Sequence, residues 1–387
     1  MSKSREGDVQ AFQIFVKPGS SRCNLNCSYC YYLDVGRHVL AQPLSRMDDD
    51  LLRRYIRGHM AACRGQQVHF SWHGGEPTLL GIEYFKRIVQ FQKQCCPPEK
   101  TIQNTIQTNG TLINDQWAKF FADNGFGVGI SLDGPAELHN EYRKTPQGKP
   151  TFDATMKGYQ ILVEYGVPID LLCVVNDCNV MYPLQLYRFF KEIGATHLSF
   201  LPLVEPQPHD SETVASERSV PAEAFGAFLC VIFDEWKSDD IGRIKVQIFE
   251  EALRTAFHQE HSLCLFRPVC GAIPVLEQNG DVYACDHYVK PTWKIGNIKE
   301  NSLEEILQSE KLQHFGMGKK AQLPEICMRC EVVSMCNGEC PKNRFVSVVG
   351  EAEKLNYLCP GYRLFFNHCR PFVEAVAEQW QKELGIT

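Results

Sequence analysis

The chain has no excess of basic residues to lay against a nucleic acid. Lys and Arg total 40 against 46 Asp and Glu, a formal charge of −6, so no nucleic-acid partner is expected. Long apolar runs are missing too. The most apolar stretch, near Ala224 to Phe233, is too short to span a bilayer, and the opening MSKSREGDVQ lacks the apolar core of a secretory signal. These absences predict a soluble, cytoplasmic protein with no membrane partner. No internal repeat or low-complexity tract interrupts the chain. What it has in excess is cysteine, 18 in 387 residues. A disulfide-stapled secreted domain is excluded by the length and the missing export signal. Thiols kept reduced point instead to metal binding or catalysis.

With 44% hydrophobic residues, the chain can bury a large core, and its length suits one large domain plus a smaller one. Strand candidates are Phe12–Lys17, Val68–Trp72, Thr101–Gln107, Gly127–Leu132, Ile169–Val175 and His197–Leu201. Helix candidates lie between them at 48–63, 81–96, 114–124, 151–165 and 183–193, with Asn114 and Thr151 as N-caps and a further helix near 221–237. Strands alternating with helices predict parallel βαβ units. Six such units fit a partial (β/α)6 barrel, an α/β fold shorter than the eight-unit barrel of about 250 residues. Residues 204–220, polar and rich in Pro and Ser, read as a loop over the barrel mouth. After about residue 262 the rhythm stops. Short β pieces at Ile273–Glu277 and Asp281–Ala284, a helix near 302–316 and crowded cysteines replace it. The expected domains are 1–258, the barrel, and 259–387, a small Cys-rich domain with a C-terminal helix.

Cys23, Cys27 and Cys30 stand in a C-x3-C-x2-C spacing just after the first strand. Three thiolates can hold three irons of a [4Fe–4S] cube and leave the fourth iron open, whereas electron-transfer clusters take four Cys ligands. A zinc knuckle would need a fourth Cys or His at a paired spacing, and none follows nearby. His73-Gly74-Gly75-Glu76-Pro77 closes the second strand, at the face where barrel loops gather. Its paired glycines allow close backbone approach to a ligand. Gln107-Thr108-Asn109-Gly110 and Ser131-Leu132-Asp133-Gly134 close the third and fourth strands. Asn-Gly and Asp-Gly are also ordinary turn dipeptides, yet Ser131 and Asp133 suit ribose hydroxyls, and Arg143 suits a carboxylate.

The three-Cys site with the Gly74-Gly75-Glu76 motif resembles the radical S-adenosylmethionine (SAM) superfamily. That resemblance implies SAM chelated at the open iron and cleaved by one electron to a 5′-deoxyadenosyl radical, the protein supplying binding and orientation. It implies cofactor contacts from Tyr29, Gly74, Gly75, Glu76, Ser131, Asp133 and Arg143.

Farther on, Cys327, Cys330, Cys336, Cys340 and Cys359 follow Cys264, Cys270 and Cys285. Eight thiols suffice for two four-Cys clusters or two zinc sites. The upstream site favours clusters, because radical enzymes need electron relays. The other cysteines, Cys63, Cys95, Cys96, Cys173, Cys178, Cys230 and Cys369, read as buried inert thiols. This tail resembles the SPASM domain of radical SAM enzymes that modify peptides.

The whole pattern is similar to the anaerobic sulfatase-maturating enzymes, which turn a Cys or Ser of a nascent sulfatase into Cα-formylglycine. The match runs through Lys17-Pro18, Cys23 to Tyr32, Gly74 to Thr78, Ile106 to Ile113 and Tyr283-Ala-Cys-Asp-His287. By that resemblance Cys264, Cys270, Cys285 and Cys340 hold one auxiliary cluster, and Cys327, Cys330, Cys336 and Cys359 the other. Three [4Fe–4S] clusters are then expected. Asp286 matches the family's catalytic base, and Tyr32 and Gln107 are candidates for holding substrate. The implied partners are an unfolded or nascent sulfatase and an electron donor such as flavodoxin or ferredoxin. One departure is His73, where many relatives carry Gln. Two other readings stand beside this one: a SPASM maturase that crosslinks peptides, and a non-catalytic zinc or cluster scaffold. Many crosslinking enzymes add an N-terminal peptide-binding domain, whereas here the first strand is expected by residue 12.

Overall fold

Runs rich in β-branched and aromatic residues form strands, and the amphipathic segments between them form helices. The computed structural model describes residues 12–33, 46–209 and 212–383; the opening decapeptide lies outside them. In chain order the strands are β1 (Phe15–Lys17), β2 (Gln67–Trp72), β3 (Thr101–Thr108), β4 (Phe126–Ser131), β5 (Ile169–Val175), β6 (His197–Pro202) and β7 (Pro206–His209). They continue with β8 (Glu212–Ala215), β9 (Lys245–Val246), β10 (Val275–Glu277), β11 (Asp281–Tyr283), β12 (Lys294–Asn297), β13 (Arg344–Val346) and β14 (Leu355–Asn356). Helices Asp49–Ala62, Ile82–Cys95, Asp115–Asp123, Phe152–Glu164, Pro183–Glu192 and Ala222–Asp239 occupy the expected segments.

The chain divides into two compact units that alternate along the sequence: residues 1–130, 143–169 and 271–317 in the first, 131–142, 170–270 and 318–387 in the second. In the first unit the strand order is β12-β11-β10-β1-β2-β3-β4. Strands β10, β1, β2, β3 and β4 run parallel, and β11 and β12 add antiparallel. Parallel strands buried by helices read as apolar runs; accordingly Val16, Phe70, Trp72, Ile106 and Val128 are core residues. The register sets Lys17 beside Glu277 and Trp72 beside Val16 and Ile106. The C-terminal ends of β1, β2, β3 and β10 therefore lie along one edge.

In the second unit β5, β6 and β9 run parallel. The long helix Cys359–Glu383 packs on Ala222–Asp239 and Gln247–Ala256. The crossing is close because Gly226 meets Gly361: a Cβ on Gly226 would lie 2.4 Å from the Gly361 carbonyl oxygen. Phe365 fills the space beside it, 6.1 Å from Phe233 and 5.6 Å from Phe249 by ring centroids.

Several expectations need correction. Residues 204–220 do not form an irregular loop: β7 and β8 pair antiparallel, and Arg218 donates to both oxygens of Glu205 at 3.0 and 3.1 Å. Residues 210–211 lie outside the described residues. Asn114 caps its helix by accepting from the Trp117 N–H, but Thr151 does not cap; its hydroxyl donates to the Arg143 carbonyl at 2.7 Å. The helix expected over 302–316 is two, Leu303–Leu307 with a Ser302/Glu305 capping box, and Glu310–Ala321. Of the cysteines read as buried, Cys173, Cys230 and Cys369 are so, whereas Cys63, Cys95, Cys96 and Cys178 are half-buried.

Candidate functional site

The loop after β1 is moulded against the Gly-Gly turn after β2. His73 N–H donates to the Val16 carbonyl at 2.7 Å, Gly75 N–H to Ser20 at 2.8 Å and Glu76 N–H to Arg22 at 2.8 Å. Side chains have no room here. A Cβ on Gly75 would sit 2.3 Å from the Arg22 oxygen, and one on Gly74, whose φ is +132°, 2.7 Å from the Ser20 oxygen. The two glycines thus fix the stretch that leads into Cys23. Glu76 is buried and its carboxylate is already engaged by the protein. It accepts from Thr78 N–H at 3.0 Å, Thr78 Oγ1 at 2.6 Å, Thr108 Oγ1 at 2.8 Å and Asn109 N–H at 2.7 Å. Glu76 therefore ties the ends of β2 and β3 together.

The three thiols lie within electrostatic reach of one another. Burial pushes Cys23 up to about 12; the Leu25 N–H, 3.3 Å from its sulfur, opposes this, while Glu76, Cys27 and Cys30 add to it. Burial likewise raises Cys30, with Arg143 among the opposing influences. Arg143 is buried and its Nη1 donates to the Tyr29 hydroxyl at 2.8 Å. Asn109 Nδ2 also reaches Cys23 Sγ at 3.8 Å. Buried thiols that repel one another's charge need a cationic group to hold them deprotonated, which bound iron supplies. Among the described residues no three His, Cys, Asp or Glu side chains converge on a single-ion site.

Beside this lies a buried charged group at the ends of β1 and β10. Lys17, about 1% exposed, pairs with Glu277 at 3.4 Å and with Asp286. Asp286 Oδ2 accepts from the Tyr31 hydroxyl at 2.5 Å and the Tyr32 hydroxyl at 2.8 Å. The Lys17 ammonium lies 4.2 Å from the centre of the Tyr32 ring. Burial alone would raise the Asp286 carboxyl; the charge and hydrogen bond of Lys17 with the Tyr31 hydrogen bond outweigh it and hold the group at about 2. His73 stacks on Phe15 with centroids 3.9 Å apart, and its Nε2 is 2.9 Å from Ser71 Oγ. Burial holds its imidazole down at about 4, with Asp286 opposing and Lys17 adding. His73 is therefore a neutral ring in electrostatic reach of Asp286.

Of the expected site residues, Cys23, Cys27, Cys30, Tyr29, Gly74, Gly75, Glu76 and Arg143 share the first unit with Asp286 and Tyr32. Gln107 sits on β3, paired with Gly129 on β4. Ser131 and Asp133 belong to the second unit. There the Asp133 carboxylate accepts from the Val174 N–H of β5 at 3.0 Å. Lys17 and Tyr31 entered the sequence reading only as part of the family match, with no role given, and Glu277 only as the end of a strand piece. A lysine ending an apolar strand, with Pro next, is the signal that could have found the first.

The second unit gathers seven of the eight tail cysteines, and Cys285 belongs to the first. Burial raises Cys327 to about 11, with Cys359 next in effect; it raises Cys336 to about 12, with Glu339 and Cys359 adding. Cys359 is raised by burial and then by Cys330. The four expected partners Cys327, Cys330, Cys336 and Cys359 are thus neighbours. Cys264 and Cys340 are pushed by burial to about 11 and about 12, Cys264 feeling Cys270 and Cys340 feeling Cys264.

An α/β scaffold with a three-thiol loop on its first strand and a cysteine-rich tail defines a radical SAM enzyme. Residues 18–190 match the radical SAM superfamily, and residues 264–331 match the SPASM iron–sulfur cluster-binding domain. The fold class expected from sequence, a partial (β/α)6 barrel followed by a Cys-rich SPASM-type domain, therefore holds, and iron–sulfur clusters and SAM are its cofactors. The chain is 41% identical over 378 residues to a serine-type anaerobic sulfatase-maturating enzyme of Bacteroides thetaiotaomicron, covering 95% of this chain and 91% of that protein. It is 32% identical over 366 residues to a cysteine-type enzyme of Clostridium perfringens, covering 94% and 98%. The solved structure of native anSMEcpe with bound AdoMet and Cp18Cys peptide superposes with a TM-score of 0.85 at 31% identity, over 95% of this chain and 99% of that one. The chain belongs to the anaerobic sulfatase-maturating enzymes.

Proposed function

We propose that this enzyme oxidises a Cys or Ser side chain in an unfolded or nascent sulfatase to Cα-formylglycine. The observation that carries the reading is Asp286, a buried carboxylate held by Lys17, Tyr31 and Tyr32 beside the three-thiol loop. Cys23, Cys27 and Cys30 would hold the cluster that meets SAM. The sets Cys264/Cys270/Cys285/Cys340 and Cys327/Cys330/Cys336/Cys359 would hold two more, three in all, in domains 1–258 and 259–387. When bound, the first cluster and SAM supply the one-electron chemistry that removes a hydrogen atom from the target's Cβ. The auxiliary clusters held by the tail thiols would take the second electron lost by the target, and the chain's own residues handle its proton and its position. Asp286 accepts the proton of the target thiol or hydroxyl, and Lys17 keeps the carboxylate ionised and aimed. Tyr32 and Gln107 orient the peptide. Arg143, fixed by Tyr29, and the Gly74-Gly75 turn shape the cradle for SAM, with Ser131 and Asp133 assigned to its ribose. Eleven ligand thiols require a reducing compartment, which supports the cytoplasm, and a flavodoxin or ferredoxin would deliver electrons.

The test is anaerobic incubation with SAM, a reductant and short peptides carrying Cys or Ser in the sulfatase signature, read by mass spectrometry. A product lighter by two hydrogens from Ser, or with sulfur also exchanged for oxygen from Cys, and trapped by hydrazine, is expected. A crosslinked or epimerised peptide without aldehyde would replace this reading.

A further inference from the structure

Arg344 lies among the tail cysteines, and its guanidinium is bound by backbone carbonyls. Nε donates to Gly338 at 3.0 Å, Nη2 to Asn337 at 3.2 Å and Glu339 at 3.3 Å, and Nη1 to Lys319 at 2.7 Å. Asn337-Gly338-Glu339 is the tripeptide between Cys336 and Cys340. It therefore joins a thiol of one expected cluster to a thiol of the other. All three residues have positive φ, +48°, +68° and +48°, a conformation that non-glycine residues adopt only when their surroundings over-determine it. Here the surroundings include one cation collecting three successive carbonyls. A Cβ on Gly338 would lie 2.8 Å from Arg344 Nη2 and 2.3 Å from Leu323 Cδ2, so the glycine admits the guanidinium to the chain.

Arg344 is within electrostatic reach of Cys327 and Cys336 on one side and Cys270 on the other. A second cation serves one side alone. Lys319, about 1% exposed, donates Nζ to the carbonyls of Cys264 at 3.1 Å and Leu265 at 2.6 Å. The nearby anion Glu339 is turned to amides, accepting from Asn343 at 3.0 Å and Asn356 at 2.6 Å.

We propose that Arg344 sets the reduction potentials of both C-terminal iron–sulfur clusters together, by placing a permanent positive charge on the backbone that connects them. The inference rests on the cluster reading of the eight tail cysteines. A reduced cluster carries one more negative charge than an oxidised one, so a fixed cation favours reduction. Guanidinium does not deprotonate in proteins, so the bias is constant with pH. Hydrogen bonding, net charge and exposure are the levers that tune such clusters.

The test is a redox titration of the purified anaerobic holoenzyme, followed by electron paramagnetic resonance, with iron counted in each variant. A unit charge about 10 Å away at the effective dielectric of a protein is worth about tenfold in such an equilibrium. Arg344→Gln should therefore disfavour reduction of both C-terminal clusters by about tenfold, or ~59 mV for one electron, and leave the N-terminal cluster in place. Arg344→Lys keeps the charge and should stay near the parent. Lys319→Gln should shift only the cluster at Cys264, Cys270 and Cys340. Full iron with unshifted potentials in Arg344→Gln overturns the proposal. If that variant loses tail iron, Lys319→Gln decides: a one-cluster shift sustains the charge mechanism, and no shift overturns it. A parent protein with zinc in the tail would instead overturn the cluster reading on which the inference stands.

Discussion

At the scale of single residues, the central chemistry is how a carboxylate stays ionised inside the protein. Burying an unpaired charge costs far more than any one contact returns. Asp286 avoids this with an ammonium and two phenols, and Glu277 shares the same lysine. Asp286→Asn keeps the shape and can still meet Tyr31 and Tyr32, but it cannot take a proton as a carboxylate does. The variant should still release 5′-deoxyadenosine while aldehyde falls by about 10²-fold or more, the usual scale of general-base assistance. Quantifying both products in one reaction checks this, and full aldehyde yield would leave Asp286 no catalytic part. Asp286 was legible in sequence only because Cys285-Asp286-His287 fits a family pattern; alone it reads as a turn residue. The role of Lys17 was illegible for a different reason. Its partners Glu277 and Asp286 come from β10 and from the turn after β11, and no local pattern announces partners so far along the chain.

At the scale of elements, local signals carried most of the fold. The six strands and their helices fall where periodicity and caps put them, because each is long enough to show its own pattern. Where the pattern failed, tertiary contacts had replaced a local rule. Thr151 sits at a helix start, yet its hydroxyl goes to the Arg143 carbonyl, and the polar stretch after β6 is ordered by an Arg218–Glu205 pair. The Gly74-Gly75 turn shows the same dependence on close packing. Gly75→Ala would drive a Cβ against the carbonyls of Ser21 and Arg22 at 2.4 and 2.3 Å, and backbone there cannot yield without moving Cys23. We expect that variant to fold but to lose the iron bound at Cys23, Cys27 and Cys30, with tail iron retained. Gly318→Ala is the contrast. It lies within the helix Glu310–Ala321 with nothing within 4 Å of the added carbon, and should gain about 0.5–1 kcal/mol in a thermal melt. Equal iron content in Gly75→Ala and the parent would show that the cluster loop does not need the glycine.

At the scale of the whole chain, stability is unevenly founded. The first unit rests on a parallel sheet with a deep apolar core, and the second on the crossing of two long helices at Gly226 and Gly361. Residues 325–356 have little of either. Their helices Glu325–Met328 and Val333–Cys336 are four residues each, and β13 and β14 form a two-stranded ladder. A single helical turn is unstable alone because nucleation fixes several residues for one hydrogen bond, and an isolated two-stranded ladder is marginal. What recurs through this stretch is cysteine, at 327, 330, 336 and 340, with Cys359 starting the long helix. Cys327 is buried and Cys330, Cys336, Cys340 and Cys359 are half-buried, burial pushes the thiols at 336 and 340 to about 12, and the backbone between them has only its own short elements. Metal binding is then folding energy for this segment. Anaerobic chelation of the iron should open residues 325–356 to limited proteolysis while peptides from β1 to β4 and from the long C-terminal helix stay protected. Replacing Cys23, Cys27 and Cys30 together by Ala should remove one cluster and SAM cleavage yet leave residues 325–356 resistant. Mass spectrometry of the cleavage sites distinguishes the cases. Cuts at the same sites before and after chelation would mean that packing, not iron, holds the tail.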